Sequence, residues 1–103
     1  MAVAAKKVQP ARDVARRRVL LRGTLFTPHG AQTVWIRDIW PSGAMVTSDD
    51  HLPADCDVVL KRGSIFAAAR IGRSKESGAE IAFYRELAEG DIASAVQPAL
   101  ARD

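Results

Sequence analysis

The chain has 103 residues, 48% of them hydrophobic and 26% charged, with one cysteine and a formal net charge of +3. That composition describes one small globular domain with a single core and excludes an internal disulfide. No apolar run approaches the roughly 18 residues of a membrane span. The positively charged start, MAVAAKKVQPARDVARRR, has no apolar stretch behind it to act as a signal peptide. A lone cysteine, Cys56, also suits the cytosol, so the expected location is cytoplasmic.

The net charge conceals an asymmetry. Residues 1–22 hold seven Lys or Arg against Asp13 alone, a balance of +6, and the remaining 81 residues carry −3. A basic arm on a mildly acidic body suggests an anionic partner met by the arm.

In chain order, residues 1–11 lack periodicity and read as a flexible N-terminal arm. The barrel domain is expected over 12–85. Its first strand runs from Arg18 to Phe26, with Val19, Leu21 and Leu25 on one face. Gly23 between them marks a bulge or a close approach. TPHGAQ reads as a turn, Thr33 to Ile39 as the second strand and Ala44 to Thr47 as the third, joined through Pro41-Ser42-Gly43. SDDHLPA is a polar loop. Asp55 to Lys61 alternates, with Cys56, Val58 and Leu60 inward, and Lys61-Arg62-Gly63-Ser64 is a hairpin turn. Ile65 to Ile71, rich in alanine, and Ala79 to Tyr84 complete six short strands, with RSKESG between them.

Six strands at this spacing predict an all-β fold, a closed or nearly closed six-stranded antiparallel β-barrel. Residues 86–103 change period. Leu87, Ile92, Ala95, Val96 and Ala99 suit a short C-terminal helix, with Glu86, Glu89 and Asp91 near its N-terminal end. It would cover one mouth of the barrel or pack on a partner.

The chemistry is expected where Thr33 to Thr47 meets the arginines from Arg12 to Arg22, as one anion-binding site. Arginine offers a phosphodiester two parallel charge-assisted hydrogen bonds from a permanently charged, planar fork. Two pairs have a spacing of four, Arg12 with Arg16 and Arg18 with Arg22. An aspartate at a strand end, Asp38, can accept from the N1–H and N2–H of guanine. Gly43 permits close approach of the backbone, and Trp40 stands in the turn. Alternation sends Arg37 to the face opposite Asp38.

On these residues the chain resembles the PilZ family, whose domains bind the bacterial messenger cyclic di-GMP. The family pattern is Arg-x-x-x-Arg before a six-stranded barrel, then Asp/Asn-x-Ser-x-x-Gly at a strand end. RDVAR (Arg12, Arg16) or RVLLR (Arg18, Arg22) supplies the first, and DIWPSG, with Asp38 and Gly43, the second. SGAEIAF, with Gly78 and Phe83, resembles the family's last strand. The resemblance spans roughly residues 12 to 85. It implies a signalling receptor, not an enzyme, holding cyclic di-GMP or a dimer of it through Arg12, Arg16, Arg17, Arg18, Asp38, Trp40 and Gly43. It also implies an unidentified protein partner. Trp40 stands where the family has serine. Its indole either stacks on a guanine or fills the site, and the second case leaves a PilZ-like protein-interaction module that binds no nucleotide.

The other chemistry-bearing residues read as structural. His29 and His51 sit on separate loops without metal spacing, Cys56 reads as a small core residue, and Asp49, Asp50, Asp55 and Asp57 read as solvated. No nucleophile setting or glycine-rich phosphate loop is present, so no cofactor or metal is expected. A membrane is not expected as a partner, for want of a long apolar run, nor is DNA or RNA, because such surfaces stack bases on several exposed aromatics and aromatic residues make up only 6% of the chain.

Overall fold

The computed structural model describes residues 16–74 and 78–96. Within them run β1 (Arg17–Thr27), β2 (Gly30–Trp40), β3 (Gly43–Thr47), β4 (Cys56–Arg62), β5 (Ile65–Ser74), β6 (Gly78–Phe83) and α1 (Glu89–Val96). The arm over 1–11, Arg12 and Ala99 lie outside the described residues. The strands close into one antiparallel barrel in the order β1-β2-β3-β6-β5-β4, the expected architecture with its short C-terminal helix.

Alternation drives closure. Leu25, Val34, Ile36, Val46, Leu60, Ile71 and Ile81 are fully buried, contributed by all six strands. Each such side chain contributes about 1.5–3 kcal/mol on leaving water. Ala67 and Ala69 take the two middle inward positions of β5, between Ile65 and Ile71, so that small side chains alternate with large ones in filling so narrow a barrel.

Several boundaries shift toward the turns. Thr27 pairs with Gly30, so the β1–β2 loop is Pro28-His29 alone rather than the whole of TPHGAQ. The Thr27 hydroxyl braces it by donating to the Gly30 carbonyl at 3.0 Å and accepting from the His29 N–H. Gly63, at φ 56°, turns the two-residue β4–β5 hairpin. Gly23 marks a close approach: a Cβ there would lie 3.2 Å from the Lys61 carbonyl oxygen. The β1 bulge falls earlier, between Arg18 and Leu21.

Both mouths are plugged. The polar loop after β3 carries Leu52, which is fully buried, and the Ser74 hydroxyl fixes it by donating to the Leu52 carbonyl at 2.9 Å. At the opposite end, Phe83 N–H donates to Ser42 O and Leu87 N–H to Pro41 O, both at 2.9 Å. These bonds tie the segment after β6 to the β2–β3 turn. The helix then starts at Glu89, later than its apolar period suggests, and buries Ile92 and Ala95 against the core. No described helix is long and apolar enough to cross a membrane.

Candidate anion-binding rim

Strict alternation from Val34 and Ile36 would send Asp38 into the barrel and Ile39 out of it. The reverse is observed, with Ile39 fully buried and Asp38 on the outer side. The cause is Arg37. Ile36 faces Val46 and Asp38 faces Met45, so Arg37 is an extra residue in β2 relative to β3. Such a bulge reverses the parity of everything after it. On the other flank, Val19 and Leu20 bulge from β1 opposite the same point. The expected separation of Arg37 from Asp38 is therefore corrected. Both line one open cleft of about 370 Å³, together with Arg18 and Thr47.

The register then brings the cations in. Arg18 is the direct cross-strand partner of Asp38, and its Nε lies 3.7 Å from Oδ1. Arg16, just ahead of β1, places Nη2 3.7 Å from Oδ2 of the same carboxylate. Arg16 also lies over the Trp40 ring, 4.3 Å from its centroid, a cation–π stack. Beneath the indole is Gly43, where an added Cβ would sit 3.1 Å from Trp40 Nε1 and 2.5 Å from the Ile81 carbonyl oxygen. The glycine is thus required for close packing of indole and strand, not for an unusual φ.

Of the residues expected at the site, Arg16, Arg18, Asp38, Trp40 and Gly43 come together. Arg17 does not join them, because alternation turns it to the helix, where Nη2 lies 3.5 Å from Glu89 Oε1. Arg22 stands apart from Arg18, over the exposed ring of Trp35 at 5.6 Å. Trp40 is only 2% exposed, so of its two sequence-level roles it fills the packing one. Arg37 was missed as a lining residue, and no periodicity signal reveals the bulge that places it.

Asp38 is charge-neutralised but makes no hydrogen bond to either arginine, since 3.7 Å exceeds hydrogen-bonding distance. Its lone pairs can accept from an incoming donor, while the two guanidinium groups can take an anion. Among the described residues no group of His, Cys, Asp and Glu is arranged to hold a metal ion. His29 and His51 are exposed on separate loops, and Cys56 is half-buried against the core. No family model, curated protein or solved structure matches the chain.

A second ionic cluster was not expected. Asp57, read as solvated, accepts from Arg70 Nη1 at 3.3 Å and from the Tyr84 hydroxyl, and Arg70 Nη2 also donates to the Asp55 carbonyl. The Tyr84 hydrogen bond chiefly, and Arg70 further, hold the Asp57 carboxyl below its ordinary range. The same bond raises the Tyr84 phenol.

Proposed function

We propose that this chain is a small receptor module for cyclic di-GMP, acting by binding and not by catalysis. The observation that supports this reading is the gathering of Arg16 and Arg18 around Asp38 on the outer rim of the barrel. These are chemical complements of a phosphodiester and a guanine edge. On this reading the ligand's phosphates draw the two guanidinium groups off the carboxylate, and Asp38 then accepts from N1–H and N2–H of a guanine. Arg12 adds a further cation from the basic lead-in, and Arg37 lines the same cleft. Because Arg17 is paired with Glu89, moving the lead-in also changes what the helix end presents to a protein partner. The PilZ resemblance of the Arg-x-x-x-Arg and DIWPSG motifs points the same way.

One observation favours a second reading, a PilZ-like docking module that binds no nucleotide. Trp40, which replaces the family's serine, is buried beneath Arg16 and offers no free face to a base. Calorimetric titration of the full chain with cyclic di-GMP separates the two. Binding that is abolished in both Arg16→Ala and Asp38→Ala is the expected result for the receptor. No heat and no amide shift at physiological concentrations leaves only the docking module.

A further inference from the structure

A second cationic cleft lies on the outer face of the barrel where β4, β1 and β2 adjoin. Lys61 pairs with Thr24 and Thr24 with Thr33, so one row across three strands presents an ammonium and two hydroxyls. Arg22 stands two residues along β1 from Thr24, on the same outward face. Arg62 is at the end of β4, and its Nη1 donates to the Arg22 carbonyl at 3.0 Å, which holds its guanidinium in place. These five side chains line a cleft of about 230 Å³. No acidic side chain lines it, and among the described residues no carboxylate pairs with Arg22, Lys61 or Arg62.

Three like charges around one cleft repel each other, and a bound oxyanion relieves that repulsion. The threonine hydroxyls add neutral donors of the kind that contact phosphate oxygens. Beside the cleft, Trp35 is the cross-strand partner of Arg22 and is 40% exposed. Phe26, 41% exposed, is next outward after Thr24 on β1. Cations that track a phosphodiester backbone beside accessible aromatic rings are the arrangement used to bind single strands. The low aromatic content weighs little here, because the fold sets two of the exposed rings beside the unpaired cations.

We infer that this face binds single-stranded nucleic acid, with phosphates seated between Arg22, Lys61 and Arg62 and a base stacked on Trp35, whose exposed ring it shares with the Arg22 guanidinium 5.6 Å away. The inference does not depend on the Asp38 rim, whose cations are different residues.

The test is fluorescence anisotropy of the full chain with a labelled oligothymidylate of about twelve nucleotides, within the usual range for one small barrel. Salt is varied in each titration. Arg22→Ala and Lys61→Ala each flatten the slope of log affinity on log salt by about 0.7, the value for one phosphate contact to a single strand. Trp35→Ala weakens binding by roughly tenfold at an unchanged slope. All three positions are exposed, and an unchanged thermal unfolding midpoint shows that the variants are folded. Wild-type affinity and slope in the Arg22→Ala/Lys61→Ala double variant overturn the inference. So does affinity lost only on Arg16→Ala/Arg18→Ala, which assigns the strand to the basic lead-in. Pyrophosphate binding as tightly as the oligonucleotide overturns the strand as ligand and leaves a free-phosphate site.

Discussion

The Asp38 rim and the Asp57 cluster are both carboxylates on the outer surface of one barrel, each facing an arginine directly across a strand pair. The Asp57 side chain is 70% exposed and that of Asp38 only 18%, yet Asp57 is the better satisfied. Arg70 reaches it at 3.3 Å within hydrogen-bonding distance, along a regular β4–β5 ladder, and Tyr84 adds a second donor. At the rim, bulges in β1 and β2 disturb the register, and both arginines stop at 3.7 Å. Regular pairing yields a closed, self-satisfied ion cluster, whereas irregular pairing yields one that still has hydrogen-bonding capacity to give. Exposure alone would have ranked the two the other way.

Substitutions can break that contrast, starting with the supports of the rim. Trp40→Ala removes a buried indole and should cost about 3–5 kcal/mol in a denaturant melt. A loss within the scatter of surface substitutions would show that the indole is not a structural support. Gly43→Ala is expected to cost about 2–3 kcal/mol, because its Cβ would meet the Ile81 carbonyl oxygen at 2.5 Å, and backbone cannot swing aside as a side-chain tip can.

The smallest effect belongs to the satisfied cluster. The folded-state pKa of Asp57 lies below its unfolded value, so its contribution to stability is present above about pH 4 and fades as pH falls through the folded pKa. The Tyr84 phenol is raised, so its contribution is present below about pH 10 and is lost as pH rises through the folded pKa. Unfolding curves of the wild type and Asp57→Asn should therefore differ slightly at neutral pH and converge in acid. A gap that persists at low pH would mean that the carboxylate charge is not what Tyr84 and Arg70 hold.

The barrel was legible because its signal is redundant. Alternation in Cys56–Leu60, the hairpin at Gly63-Ser64 and the alanine run of β5 all agree on strand and turn, and small boundary errors leave inside and outside unchanged. The rim was legible only as a set of residue types. Arg16, Arg18, Asp38 and Gly43 stand out as members of a basic lead-in, a strand-end acid and a turn glycine, but the side of the wall on which Asp38 stands depends on one extra residue at Arg37, and a bulge leaves no trace in hydropathy. Leu52 was hidden for a related reason, since one apolar residue in SDDHLPA has no period. The Asp57 cluster needs β4, β5 and the segment after β6 side by side, which no local pattern specifies.

The hoop of strands is joined by an unequal weld. β1 meets β4 only across Thr24–Phe26 and Val59–Lys61, although β1 itself runs from Arg17. Ahead of that weld, β1 is laddered to β2 alone among the described residues, and β4 reaches it only through the Arg62 guanidinium, which donates to the Arg22 carbonyl. The leading half of β1 can therefore peel outward without breaking any ladder but its own, and that half carries Arg17 and Arg18. A guest that draws on these arginines therefore pulls against one ladder rather than two.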